Sequence, residues 1–204
     1  MSFYQRHILP PLLNFAMGQK QLQPFRERVI VSAAGDVLEF GIGSGLNLPL
    51  YGSGVRSVVG VEPSAELLQM AEQRIDRVDV PVELLNASAE ALPMERGSFD
   101  TVVTTWTLCT IPDAHLALQE ARRVLRPGGT LLFVEHGRAP DANVAQWQDR
   151  LDHVWGCIAG GCHLNRQIDA LITDAGFDVQ ILHHHRIPGP RTHTYFYEGQ
   201  AKPL

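Results

Sequence analysis

The sequence predicts a doubly wound α/β domain. Three observations carry that prediction: continuous apolar runs of strand length, amphipathic helical segments between them, and a glycine-rich turn directly after the first run. Continuous runs suit parallel strands buried on both faces, and strand–helix alternation suits the crossovers of a parallel sheet. The first five strands are expected over 36–43, 57–63, 82–88, 98–106 and 129–136. Between them, 64–75 reads as a helix with Ser64 as N-cap and Leu67, Leu68, Ala71 and Ile75 on its apolar face. Asp113 caps the next helix, whose Leu116, Leu118, Ala121, Val124 and Leu125 form one broad face before Pro127 and Gly128-Gly129 end it. Two more helices are expected, over 142–158 and from Asn165 as N-cap to Gly176 as the closing glycine. The runs 178–185 and 193–199 alternate partly, which predicts an antiparallel pair at the sheet edge.

The 204 residues suffice for one domain with a sizeable core. An apolar fraction of 45% and a charged fraction of 19% are those of a soluble globular chain, and a net charge of −5 gives nucleic-acid binding no support. Three cysteines cannot all pair, which fits a reducing, cytoplasmic setting. No apolar run approaches the length of a membrane span, and Pro10-Pro11 with no small-residue cleavage site argues against a signal peptide.

Gly41, Gly43 and Gly45 let the backbone turn tightly and leave main-chain N–H groups open to a ligand. The spacing is G-x-G-x-G, and Leu46 stands where a nicotinamide fingerprint needs glycine. No Gly-Lys-Ser/Thr follows, so a P-loop is excluded as well. Glu62, at the end of the second strand and some twenty residues further on, suits a ribose diol.

Together, "VLEFGIGSGLN", "VVGVEPS", "AEALPMERGSFDTVV" and "RRVLRPGGTLLFVEH" resemble the successive motifs of class I S-adenosylmethionine-dependent methyltransferases, over roughly 35–200. The resemblance implies a Rossmann-like seven-stranded sheet in the order 3-2-1-4-5-7-6 with strand 7 antiparallel, and S-adenosyl-L-methionine as cofactor. It implies that Glu39, Gly41, Gly43 and Gly45 form the methionine-side turn, with Asn47 near the methionine carboxylate. Glu62 would hold the ribose, Pro63 would flank the adenine, and Ser88, Ala89 and Glu90 would border its edge. Thr105, Trp106 and Leu108 would lie near the methyl-bearing sulfur. Residues 1–34 then read as a separate helical segment ahead of the 35–204 domain. Their amphipathic stretch of Ile8, Leu9, Leu12, Leu13 and Phe15 would cover the sheet edge, act as a lid over the acceptor pocket, or touch a membrane surface.

A narrower resemblance concerns the acceptor. Trp147-Gln148, Leu151-Asp152, Trp155 and Gly161-Cys162-His163-Leu164-Asn165-Arg166 match, in spacing, the small-molecule alkyl-thiol methyltransferases of animal microsomal membranes. Thr192-His193 stands where that group has Pro-His. A small, apolar acceptor is implied, with an alkyl thiol favoured and N-, O- or C-methylation of a lipid, quinone or other metabolite as the alternative. His136, after the fifth strand, and His163 are the candidate bases, because an imidazole can take a proton near neutral pH. Cys162 reads as pocket wall and Cys109 as core; Trp155 and Trp147 read as core or pocket, and Arg166 as partner to Asp152 or an acidic ligand. Cys157-x4-Cys162 with His163 reaches zinc-ligand spacing only at its upper limit. Gly160-Gly161 and an N-cap at Asn165 account for that stretch without metal, so none is assigned, and the spacing is not that of a thioredoxin-type redox pair. A non-catalytic cofactor- or metal-binding module stays as the reading from another class. His183–His185 fall on a strand, so two face one side and one the other.

Overall fold

The structure is a computed structural model that describes residues 3–204. Its seven strands are β1 (Gly35–Phe40), β2 (Val55–Val61), β3 (Val82–Leu85), β4 (Phe99–Thr105), β5 (Leu125–His136), β6 (Phe177–Arg186) and β7 (Tyr195–Pro203). They form one sheet in the order β3-β2-β1-β4-β5-β7-β6. β7 runs antiparallel to both β5 and β6, while the other pairings are parallel. The helices are α1 (Leu9–Met17), entered through a wide turn at Tyr4–Ile8, α2 (Gln23–Ile30), α3 (Ala65–Ile75), α4 (Ala114–Val124), α5 (Ala142–Ile158) and α6 (Ile168–Asp174).

The continuous apolar runs have a direct cause. Along β5, Leu131 and Phe133 enter the core on one face while Leu132 and Val134 enter it on the other. Val102 and Val103 split the same way on β4. Both sheet faces are thus covered, one with α4 and α6 (Leu118, Ala121, Ile168, Ile172) and one with α2 and α3 (Val29, Ile30, Leu68). Ser64 and Asp113 cap α3 and α4 through side-chain oxygens that accept from Leu67 N and Leu116 N. Asp141 caps α5 in the same manner.

The starts of β5 and α6 differ from expectation for reasons visible in the structure. β5 starts at Leu125 rather than Gly129, because Leu125 pairs with Phe99 before a bulge at Arg126–Gly129 restores register at Thr130. α6 starts at Ile168 with Gln167, not Asn165, at its N-cap. The Asn165 amide instead donates to Asp149 on α5 at 2.9 Å. Arg166 therefore lies in the loop before the helix and not in its first turn. The pairs on β6 fall as a strand requires: His183 and His185 share one side, and His184 stacks on Tyr195 from the other.

The parallel strands present their carboxyl ends on one edge of the sheet. The chain reverses its order between β1 and β4, so a crevice opens there beside Phe40, Thr105 and His136. The N-terminal segment lies across that crevice. Tyr4 OH donates to the Ile158 carbonyl at 2.6 Å, and the Asn14 side chain accepts from Ser44 Oγ at 2.7 Å. Among the described residues no helix is long and apolar enough to cross a membrane.

Candidate active site

The turn after β1 follows from its glycines. Gly41 and Gly43 sit at φ +58° and +56°, where a side chain is strained, and a Cβ on Gly43 would meet only the Gly41 carbonyl, 3.8 Å away. The turn therefore shows bare backbone to a cavity of about 1030 Å³, a volume at the upper end for small-molecule sites. Glu62, at the end of β2, closes one side. Its carboxylate accepts from Gly43 N at 3.2 Å and Ser64 N at 2.9 Å, and burial raises its pKa. These contacts orient both oxygens and leave lone pairs for a diol.

Behind the turn lies a buried polar network. Glu39, at the end of β1, is 1% exposed. It accepts from Asn47 Nδ2 at 2.7 Å and from the Tyr51 hydroxyl at 2.6 Å. Asn47 also donates to Thr105 Oγ1 at 3.0 Å and accepts from Arg26 at 2.8 Å. Burial drives the Glu39 carboxyl up to about 7 against the pull of Tyr51, Asn47 and Arg26, and the same burial brings Arg26 down to about 10. The Arg26 guanidinium lies 4.7 Å over the Trp106 ring and donates to the Met17 carbonyl. Trp106 is the one non-glycine residue at positive φ, +52°, among the described residues, and its buried indole N–H has no protein partner. A strained aromatic residue with an orphaned donor, on a cavity wall, marks a place where a ligand group or water completes the site.

The far end of the cavity is more apolar. Leu9, Leu13, Trp155, Cys162 and Phe196 line it together with His136 and His193. His136, 5% exposed, has Nε2 3.4 Å from the Thr192 carbonyl and Nδ1 3.9 Å from Cys162 Sγ. A carbonyl only accepts, so Nε2 carries the proton in the neutral ring and Nδ1 offers its lone pair to the cavity. The His193 ring stands edge-on to Trp155 at 4.2 Å, with a buried Nε2 that has no partner. Glu135, fully buried and pushed up to about 7, accepts from Thr104 Oγ1, Thr107 N and Cys109 N, which fixes the loop after β4.

The cavity thus brings together Glu39, Gly41, Gly43, Glu62, Pro63, Ser88 and Ala89. It also brings in Thr105, Trp106, His136, Trp155, Cys162 and His193. Seven residues singled out from sequence do not line it. Gly45 packs its turn against Leu48 and Ala71, Asn47 sits in the buried network, and Leu108 is core. Glu90 accepts from Asp113 N and Ser88 Oγ. His163 is held by Asp152 at 2.8 Å, on the outer side of its loop. Arg166 donates to the carbonyls of Leu108, Ile111 and Pro112 rather than to Asp152, and borders a separate, open pocket with Arg138 and Gln167. Trp147 is 54% exposed, a correction to its core reading, and its ring lies 5.1 Å from the Arg150 guanidinium on the same helix. Arg26, Tyr51 and the Cys109–Cys162 contact were not legible beforehand, because each partner lies far away in sequence and carries no local motif.

The family profile described as a methyltransferase domain matches residues 38–133. The chain is 34% identical over 173 residues to thiol S-methyltransferase TMT1B of Homo sapiens, covering 80% of this chain and 70% of that protein. It is 32% identical over 152 residues to phosphatidylethanolamine N-methyltransferase of Cereibacter sphaeroides, covering 71% and 74%. Among solved structures, geranyl diphosphate C-methyltransferase from Streptomyces coelicolor A3(2), in complex with Mg2+, geranyl diphosphate and S-adenosyl-L-homocysteine, superposes with a TM-score of 0.69 at 14% identity. That superposition covers 90% of this chain and 80% of the other, and shows a shared fold.

The Glu39 network has a pH signature. Its folded pKa lies above the unfolded value of 4.5, so its contribution to stability is complete below about 4.5 and is lost as pH rises through about 7. Urea unfolding of the ligand-free protein and of Glu39→Gln at pH 5 and pH 8 measures this. The wild type should lose stability relative to the variant across that window, by a few kcal/mol at most. A difference that stays constant with pH would show that the carboxyl does not titrate there.

Proposed function

The chain belongs to the class I S-adenosylmethionine-dependent methyltransferases, and from that premise we propose that it methylates a small apolar acceptor, an alkyl thiol in first place, with His136 as the base. S-adenosylmethionine is the cofactor, and the residues present fit it. Glu62 offers a doubly oriented carboxylate of the kind a ribose diol takes, and the Gly41–Gly43 turn offers backbone without side chains. Glu39, raised but set beside Arg26, supplies a negative end for the amino-acid part. When bound, the cofactor supplies a methyl group on a sulfonium, open to in-line displacement.

The observation that carries the acceptor reading is how this cavity is lined. Its two carboxylates, Glu39 and Glu62, stand at the ends of β1 and β2, while Cys162 and Phe196 stand beside His136. A thiol attacks as the thiolate, so it must lose a proton on the way, and the His136 Nδ1 lone pair faces the space where that proton would leave. Among the described residues lining the cavity, the carboxylates are Glu39 and Glu62, both at the cofactor end. An ammonium acceptor would therefore meet no carboxylate beside His136, which favours a thiol over an amine. Trp155 and Phe196 supply apolar walls that exclude water and orient the chain of the acceptor. The likeness to the human thiol S-methyltransferase agrees with this choice. The free cysteines fit a cytoplasmic setting.

Residues 1–34 act in this reading as a roof over the acceptor end. Leu9 and Leu13 line the cavity, and Asn14, Arg6 and Tyr4 tie the segment to the glycine turn, α3 and α5. Deleting residues 1–17 should cut turnover of a saturating cofactor with a dilute acceptor at least tenfold while the folded core persists; undiminished turnover would leave the segment as mere edge cover. An acceptor panel of thiols, phenols, amines and quinols, read as S-adenosylhomocysteine formed, tests the reading itself, and turnover confined to amines would overturn it. For a thiol that reacts, His136→Gln should lower kcat/KM by about 100-fold at pH 6.5. The deficit should shrink as pH rises and the thiol ionises by itself. A deficit independent of pH would make His136 a structural residue.

A further inference from the structure

The acceptor end of the cavity holds a nucleophile that methyl transfer does not use. Cys162 Sγ lies 3.7 Å from Cys109 Sγ and 3.9 Å from His136 Nδ1. The two cysteines are 53 residues apart in sequence, one in the loop after β4 and one in the loop after α5. Their backbones are joined at this point, since His163 N donates to the Cys109 carbonyl at 2.7 Å. Arg166 clamps the Cys109 loop through the carbonyls of Leu108, Ile111 and Pro112. Both cysteines border the cavity, Cys162 half-buried and Cys109 buried. Gly160 and Gly161, at φ +66° and +89°, precede Cys162 and give its loop a glycine hinge. Among the described residues no group of three or more His, Cys, Asp or Glu side chains is arranged to hold a metal ion.

We propose that Cys162 and Cys109 form a redox-active dithiol in the acceptor end of the cavity, with small organic disulfides as its substrates. Cys162 is the attacking sulfur and Cys109 the resolving one. The Cys162 thiolate attacks one sulfur of RSSR, forms the mixed disulfide Cys162–S–SR and releases RS⁻. The Cys109 thiolate then attacks the Cys162 sulfur, forms the Cys109–Cys162 disulfide and releases the second RS⁻. The proton held by Cys109 passes to one released RS⁻ and frees the Cys109 thiolate, while the other RS⁻ carries the charge first held by Cys162. The disulfide gains two electrons and the protein dithiol loses them.

The surroundings suit this order of attack. Contact with Cys109 holds the Cys162 thiol well below its ordinary range against the cost of burial. Cys109 is shifted the other way, first by Cys162, then by burial and by Glu135 nearby. The two thiols are thereby set apart, Cys162 toward the thiolate and Cys109 toward the protonated form. Closing the bond needs the sulfurs to approach from 3.7 Å to about 2 Å, a movement the Gly160-Gly161 hinge can supply. It would draw the Cys162 loop against the loop after β4 and reshape the acceptor wall. The inference goes beyond the acceptor reading, because the exchange stands whether or not the methyl acceptor is a thiol.

The test is to treat the reduced full-length protein with bis(2-hydroxyethyl) disulfide and to map cysteine states by peptide mass spectrometry. The wild type should lose two hydrogens through a Cys109–Cys162 link and release two thiols per protein, reversed by a phosphine reductant. Cys109→Ser should stop at a mixed disulfide on Cys162 with one thiol released. Capping at Cys157 alone, or a stable adduct on Cys162 of the wild type with Cys109 still free, would overturn the proposal. The wild-type map decides this even if the variant fails to fold, and it is independent of any methyl-transfer measurement.

Discussion

A carboxyl group with no access to water sets the conditions for the whole site. Glu39 ends β1 at 1% exposure, where an unpartnered carboxylate would be costly. The chain meets that demand with Tyr51 and Asn47 from the segment after the glycine turn, and with Arg26 from α2 close by. Each partner belongs to a different piece of chain, so satisfying one buried acid fixes the turn, α2 and the end of β4 relative to one another. Arg26 extends the network to Trp106 and to the Met17 carbonyl, and so to the N-terminal roof. Buried polar networks of this sort are costly when incomplete, which is why they hold a unique geometry when complete.

The second buried acid does the same for the other half. Glu135, one residue before His136, gathers the hydroxyl of Thr104 and the backbone N–H groups of Thr107 and Cys109. The loop after β4 thereby takes a fixed path beneath the cavity, with Trp106 at one end and Cys109 at the other. The two acids sit on β1 and β5, either side of β4. The Glu62 side of the cavity rests on the first and the His136 side on the second. In the proposed reading, this arrangement separates charge handling near Glu62 from proton and sulfur chemistry near His136 and Cys162.

Much of the fold was legible in the sequence, for a physical reason. Strands buried on both faces must be continuously apolar, and Val102-Val103 and Leu131–Val134 show it without ambiguity. Ser64 and Asp113 announced helix starts because an N-cap is a local interaction. Boundaries set by distant contacts were less legible. Asn165 looked like a cap, yet α5 offered Asp149 to its amide and the helix began later. Arg166 looked like a ligand for a carboxylate, yet three loop carbonyls take its guanidinium. Glycine and acid positions after β1 and β2 could be placed at the cavity because the strand order itself puts them there. The Cys109–Cys162 contact could not, since it depends on the packing of two loops that no spacing rule relates.

The central claim is that the Glu39 network, rather than contact area alone, shapes the cofactor end of the cavity. Tyr51→Phe tests it most directly, because Tyr51 reaches Glu39 through its hydroxyl at 2.6 Å and does not itself line the cavity. Isothermal titration of S-adenosylhomocysteine into the variant at pH 7 should give an affinity about tenfold weaker than wild type, the scale of one hydrogen bond to a charged group. An affinity equal to that of the wild type, in a variant that unfolds with the wild-type m-value, would contradict the account.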